Sequence, residues 1–430
     1  MTFVLLILVL LIFAIPITII FEGIIAQALV AVVAAMLLVI VAVRIRPGEA
    51  GFLSTVVRPV AVVAIIPAIW MLIQIVPLQS SWIVHPIWKS AAAALGQPFA
   101  GSISIDPGAT LISLVRYCSA MAIAFVAAAV AADRLRAEWV LFALTAESAF
   151  VALLALAKNF GLFTFLGDGG QSAATATAVA CLGPILAVAA ALHTLERHGA
   201  RRPGQANSNG LLTFLASLSV FLISLFVVVA GATGQALFSV ICGMATLAIA
   251  VVIRRLDLGP WGIAAVISMT FFIAAAVVLL SSGNRTLDLT IAFASQAPAS
   301  LSTVTQHMLT ETGWAGSGAG TFGAALPIYQ DVDVLKIGQI APTAAASIII
   351  DMGRPFFIGA LIATVALIIA LFRGALRRQR DSSYSMAGAA CVVTIMLLSF
   401  GSPALLTTPM LIVVAVVIGV AVAQSKSRLV

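Results

Sequence analysis

The sequence predicts an all-α, polytopic membrane protein with about twelve transmembrane helices and a long periplasmic loop between helices 9 and 10. Three observations predict it. Of 430 residues, 62% are hydrophobic and 9% are charged, against about 25% charged in soluble domains. The apolar residues form runs of roughly 20, the length a helix needs to cross a bilayer core at about 1.5 Å per residue. Lysine and arginine cluster in every second connection between runs, as the positive-inside rule requires.

The expected spans are 2–21, 24–43, 58–76, 109–132, 139–158, 173–194, 211–230, 232–253, 261–281, 344–372, 385–401 and 405–423. The first run, Thr2 to Phe21, is long for a signal-peptide core and no clear small-residue cleavage site follows it, so it reads as a retained span. The run 344–372 exceeds the length needed, which leaves its first turns for the interface or a packed approach segment. The last pair is joined across Pro403. The whole chain, 1–430, reads as a single polytopic domain.

One side holds Arg44, Arg46, Arg58, Arg134, Arg136, Arg197, Arg201, Arg202, Arg254, Arg255, Arg373, Arg377, Arg378, Arg380, Lys426 and Arg428, sixteen of the 22 basic residues. The other side, with two residues inside spans, holds Lys89, Arg116, Lys158, Arg285, Lys336 and Arg354. The alternation predicts an inner-membrane protein with both termini in the cytoplasm. Two periplasmic segments are long. Segment 77–108 carries Trp82, His85, Trp88 and Lys89 and suits an interfacial position. Segment 282–343 is the largest polar stretch, where surface chemistry is expected.

The net charge of +7 does not point to nucleic acid, because the basic residues lie between apolar runs without aromatic interleaving or zinc-finger spacing. Cys118, Cys181, Cys242 and Cys391 all lie in apolar runs and read as small buried hydrophobes, with neither a disulfide framework nor a CxxC pair. His85, His193, His198 and His307 lack ligand spacing, so no metal is expected. There is no P-loop. Gly316, Gly318 and Gly320 lack the preceding strand and following acid of a dinucleotide site, and no cofactor is implied.

Charges inside spans cost several kcal/mol unless they face a cavity or each other. Arg116 lies near the outer end of one span and Glu147 near the middle of the next. Asp351 and Arg354 are three residues apart and are expected on one helix face. They pair, Arg116 with Glu147 and Asp351 with Arg354, or they face a substrate. Arg285, in Gly283-Asn284-Arg285, is either a solvated loop charge or a ligand for a lipid diphosphate, whose oxygens match a guanidinium bidentately. His307 and Glu311 are four apart in a helical stretch and share a face, either solvated or as a base for a hydroxyl.

Three stretches resemble the O-antigen ligase and polymerase superfamily of bacterial envelope glycan enzymes. The first runs from Leu72-Ile73-Gln74-Ile75-Val76-Pro77-Leu78 through Trp82 and Trp88 to Ser102-Ile103-Ser104-Ile105-Asp106-Pro107 and Thr110. The second is Gly313-Trp314-Ala315-Gly316-Ser317-Gly318-Ala319-Gly320-Thr321-Phe322 with Pro327 and Tyr329, similar to the family's GxGxGTF…PxY loop. The third is Ala341-Pro342-Thr343 through Asp351-Met352-Gly353. The chain departs from the family where its catalytic His is expected, since Ala341-Pro342-Thr343 stands there. It departs again at Ala232-Thr233-Gly234-Gln235-Ala236, where an Arg is usual, and at Asp351, where Glu is common.

The resemblance implies glycan transfer, as ligation or polymerisation, from a polyprenyl-diphosphate carrier on the periplasmic face, without metal. Arg285 and Arg116 are then expected at the diphosphate, with His307 or Glu311 as base. Arg354, Asp351, Lys336 and Tyr329 are the expected substrate contacts. The expected partners are the lipid-linked glycan, the bilayer and other polysaccharide-assembly proteins. The missing His and Arg favour an alternative, a non-catalytic scaffold in a polysaccharide assembly or export complex; the charges inside spans favour another, a transporter or flippase, against which stands the lack of an internal repeat.

Overall fold

A computed structural model of the chain describes residues 1–45, 47–78, 83–97, 100–160, 170–199, 208–231, 234–256, 299–329, 343–377 and 382–426. The expected span 261–281, Trp82, Arg285 and Lys336 lie outside these residues. So do both flanks of the long loop, 282–298 and 330–342.

The described residues form helices and short connections, with one isolated antiparallel bridge between Leu78 and Gly101. In chain order the helices are α1 (Thr2–Phe13), α2 (Ile15–Ile20), α3 (Ile24–Arg44), α4 (Pro47–Ile75), α5 (Ile87–Leu95), α6 (Pro107–Ala131), α7 (Arg134–Asn159) and α8 (Gly170–Gly199). They continue with α9 (Ser208–Gly231), α10 (Gly234–Leu256), α11 (Ala299–Glu311), α12 (Phe322–Tyr329), α13 (Ala344–Met352), α14 (Arg354–Arg377), α15 (Ser383–Leu398) and α16 (Thr408–Ala423), the last preceded by a 3-10 turn at Pro403–Leu406.

Nine of the described helical runs are long and apolar enough to cross a membrane, with α1 and α2 counted as one, and α15 and α16 are shorter apolar helices. The chain is a multi-pass helical membrane protein. Large apolar side chains such as Phe3, Leu29, Ile65, Leu222 and Ile362 stand exposed on the outer helices, as suits a surface that faces lipid.

Local chemistry sets the helix limits. Asp106 caps α6 by accepting hydrogen bonds from the Gly108 and Ala109 amides, with Pro107 at the first helical position. Asp133 caps α7 through the Leu135 amide. The expected span 344–372 is two helices, because Gly353 adopts φ 92° and stops α13 before α14 begins at Arg354. Asp351 and Arg354 therefore do not share a helix face.

The interior is built on α8, whose membrane-length window is 78% buried. It packs against α7, α9, α10, α15 and α16. Small residues let these helices approach closely. A side chain at Gly419 of α16 would meet Ala127 Cβ of α6 at 2.8 Å. By contrast α14 and α4 bury 6% and 11% of their windows and lie at the lipid boundary.

The end of the bundle that carries most arginines is tied by polar contacts. Arg254 of α10 forms an ion pair with Glu196 of α8 at 2.6 Å and donates to the Ser382 hydroxyl. His193 of α8 lies 3.8 Å from Glu138 of α7 and 3.3 Å from the Tyr384 hydroxyl of α15. The opposite end holds the glycine-rich segment and α11 to α13.

Candidate functional site

The three motif stretches converge at that opposite end around one side chain. Gln74, in the last turn of α4, is fully buried. Its Nε2 donates to the carbonyls of Ala315 (3.1 Å) and Asp351 (3.0 Å), and its Oε1 accepts from the Ala319 amide (3.1 Å). Its own carbonyl accepts from the Ser104 amide at 3.1 Å. One amide side chain thus joins α4, the segment before α6, the glycine loop and the end of α13. Glutamine suits this because its head both donates and accepts.

The loop 313–321 spends its backbone on the same joint. Ser317 N–H donates to the Ile350 carbonyl, Gly318 N–H to the Asp351 carbonyl, and the Ser317 carbonyl accepts from Ile105 N–H, all at 2.8–2.9 Å. Asp351 Oδ2 accepts from Gly320 N–H (2.9 Å) and the Ser347 hydroxyl (3.0 Å). Trp70 Nε1 donates to the Met352 carbonyl and Trp88 Nε1 to the Ser104 carbonyl. Gly318 adopts φ 110°, and a Cβ there would meet Ser104 Cβ at 2.7 Å. The glycines are required by left-handed backbone and close approach, so this loop is a joint rather than a phosphate cradle.

Beside the joint lies a cleft between α3, α6 and α16. Gln27, Arg116, Ser119 and Thr408 line its polar part, and Val30, Ala120, Ile123, Leu411 and Ile412 its apolar part. Along each helix the polar residues stand nearer the joint end and the apolar ones deeper in the bundle. The enclosed room is about 10 Å³, enough for about one water. Arg116 is half-buried and forms no ion pair among the described residues. Its electrostatic neighbours are Glu22, in the α2–α3 connection, and Asp351. Glu22 also accepts from the Thr408 amide at the start of α16 and lies 3.5 Å from Gln171 Nε2. Burial raises the Glu22 carboxyl above its ordinary value, and Arg116 opposes that shift.

The structure corrects both expected pairings. Glu147 is 1% exposed, and neither carboxylate oxygen has a hydrogen-bond partner among the described residues. Arg116 faces Glu22 and Asp351 instead. Arg354 is exposed and donates to the Leu309 carbonyl at 2.7 Å, tying α14 to α11 rather than meeting Asp351.

A second group forms on the exposed side of the joint. His307 Nε2 lies 3.6 Å from Glu311 Oε1 on one face of α11, with side chains 63% and 52% exposed. The Tyr329 ring of α12 stands edge-on to His307 with centroids 5.7 Å apart, and its hydroxyl bonds to Glu311. Burial and then Glu311 raise the Tyr329 hydroxyl above its ordinary value. Of the expected site residues, Arg116 and Asp351 come together at the joint, and His307, Glu311 and Tyr329 at the surface.

Sequence reasoning missed Glu22, Gln27 and Thr408. The available signal was that Glu22 is the sole charged residue before Arg44, standing in a tight connection between two apolar runs. No group of three metal-ligating side chains occurs among the described residues. Comparison with protein-family models and with curated proteins gives no match.

Proposed function

We propose that the protein is an O-antigen ligase- or polymerase-like enzyme of envelope or exopolysaccharide synthesis. In this reading it transfers glycan from a polyprenyl-diphosphate carrier at the periplasmic face of a bacterial inner membrane, with both termini in the cytoplasm. The carrying observation is Arg116: a half-buried guanidinium without an ion pair among the described residues, at the polar end of a cleft that turns apolar toward the bundle centre. The order of polarity along it matches that of a lipid with an anionic head and an apolar tail. A diphosphate leaving group in a lipid-flanked site needs fixed positive charge, because water cannot reorganise around it there. Arg285, the other expected diphosphate ligand, lies outside the described residues.

The test is direct. Arg116→Ala should lower transfer about a hundred- to thousandfold, the usual effect of removing one such electrostatic contact, while the protein still inserts and accumulates. Arg116→Lys should restore little, since it keeps the charge but loses the planar fork. In a deletion strain, full-length glycan left on the carrier identifies a ligase and single repeat units a polymerase.

A second reading, the non-catalytic scaffold, is favoured by the small room in the cleft and by the absent family His. Unchanged cellular glycan in an Arg116→Ala strain, together with no transfer by the purified wild-type protein, would select it.

A further inference from the structure

We infer that Glu147 is a mid-membrane proton-binding site, and that its proton holds α7 closed against α8 and α9; the inference stands apart from the transferase reading. Glu147 lies midway along α7, is 1% exposed, and has no hydrogen-bond partner at either carboxylate oxygen among the described residues. No cation faces it among those residues either. Along α7 the nearest charges are Glu138 and Lys158, roughly 14 and 17 Å away at the helix rise. Of the helices that pack on α7, α1, α9 and α16 carry no titratable side chain. On α6, Arg116 turns to Glu22 and Asp351, Tyr117 bonds the Ala64 carbonyl of α4, and Cys118 is exposed. On α8, Cys181 is a buried thiol, and His193 and Glu196 belong to the arginine-rich end. The expected span 261–281, outside the described residues, contains no Asp, Glu, Lys, Arg or His. A carboxylate with neither cation nor donor does not persist inside an apolar bundle; it binds a proton or moves to water. The packing around Glu147 is closed, so it is the packing of the neutral acid.

The layer around Glu147 is polar on all three helices. Ser148, next in the chain, and Ser224 of α9 both close on Gly183 of α8, where an added Cβ would meet Ser224 Cβ at 2.7 Å and Ser148 Oγ at 3.4 Å. The Ser224 hydroxyl is buried and, among the described residues, also lacks a hydrogen-bond partner. Pro184 follows Gly183 inside α8 and withholds the amide that would bond the Ala180 carbonyl. Ala180 is buried against Ala152 of α7 and Val227 of α9. The three helices thus meet through a carboxyl, a hydroxyl and a carbonyl freed from its ladder. The two serines fill the space that a methyl group on Gly183 would need, so this layer accepts a proton, which requires no room, and not a metal ion. Release breaks the carboxyl O–H bond, leaves its electron pair on Glu147 and passes the proton to water. The charge left behind has no partner in the closed layer, so water must enter beside it. Release therefore opens the seam between α7 and its neighbours, and uptake closes it.

The experiment uses the full-length protein in phosphatidylcholine nanodiscs and reads the proton and the seam separately. Infrared difference spectra between pH 7 and pH 10 should show the carbonyl band of a protonated carboxylic acid at pH 7 and its loss at pH 10. Glu147→Gln should lack that band at both pH values. For the seam, spin labels replace the exposed Phe150 of α7 and Leu222 of α9, with the exposed Cys118 changed to Ser. The distance between the labels should lengthen from pH 7 to pH 10 in the otherwise wild-type protein. In Glu147→Gln, whose neutral amide copies the protonated acid, it should stay at its pH 7 value. An acid band shared by wild type and Glu147→Gln overturns the site, as does a Glu147 band that survives at pH 10. A distance that is constant while the band disappears, or that lengthens equally in Glu147→Gln, overturns the link to the seam. If gel filtration shows that Glu147→Gln does not fold, Glu147→Asp takes its place: a shifted band supports the site, and an unshifted one assigns the proton to another carboxyl and overturns it.

Discussion

At the scale of the residue, Gln74 shows how one buried polar side chain organises a membrane protein's exposed end. Its fully buried head group bonds two carbonyls and one amide, and the Asp351 carbonyl accepts from Gly318 N–H as well. Removing a partner from buried backbone groups costs about 1–3 kcal/mol for each group left unsatisfied. Gln74→Leu keeps the volume and loses all three bonds, so it should lower the unfolding temperature in detergent more than an apolar swap at exposed Ile73. Gly318→Ala should be worse tolerated than its small size suggests. It adds both a strained φ and a collision with Ser104, a combination worth about 1–3 kcal/mol or more. Thermal unfolding followed by gel-filtration fluorescence measures both. Arg116 and Glu147 teach a different lesson. Opposite charges on neighbouring spans read as a pair on paper, but the direction of each side chain depends on which face its helix turns inward.

At the scale of the element, the segment before α6 behaves as part of the joint and not merely as a lipid-surface anchor. Trp88 turns its indole N–H to the Ser104 carbonyl, and the Leu78–Gly101 bridge closes the segment's base. His85 sits in the same fold: its Nδ1 accepts from the Ile87 amide at 3.3 Å and its amide donates to the Ser102 carbonyl. Burial lowers the His85 pKa, so the folded segment favours the neutral ring. The unfolded segment therefore binds more protons at mildly acid pH, and stability falls as pH drops through the ordinary His value of about 6.5. Protonation also removes the Nδ1 acceptor. Amide hydrogen exchange at Ile87, Trp88 and Lys89 should speed up between pH 7 and pH 5, and His85→Gln should blunt that dependence. An exchange rate that tracks only the intrinsic pH effect would count against it. Similarly, α13 and α14 act as two elements because Gly353 separates them, which releases Arg354 to hold α11.

At the scale of the whole molecule, α8 is the central post, and the outer helices present apolar side chains to lipid. The two ends differ in kind. One is tied by Arg254, Glu196, His193, Glu138 and Tyr384 across four helices; the other carries the joint, the cleft and the exposed His307 group. The proposed topology puts the second end outside the cytoplasm. A cysteine at exposed Gln306 should then react with a membrane-impermeant thiol reagent in intact spheroplasts, and labelling only after lysis would invert the assignment. The ion pair of Arg254 with Glu196 is about one-third exposed at each partner, so Glu196→Gln should cost no more than about 1 kcal/mol.

The sequence by itself determined the class of the protein, the positions of most helices and the alternation of basic connections. These follow from composition, run length and charge, which need no knowledge of what packs against what. It also supplied the three stretches that meet at Gln74, and the shared face of His307 and Glu311, which a single helical period is enough to show. Only the tertiary structure decided that 344–372 breaks at Gly353, because that break depends on a left-handed glycine fitting against Trp314. Only the fold turned Arg116 toward Glu22 and Asp351 instead of Glu147. Glu22 precedes Arg116 by more than ninety residues, and no local period links them. Their meeting is a product of how α3, α6 and α16 pack, and such long-range packing leaves no mark that hydrophobic periodicity or motif spacing can carry.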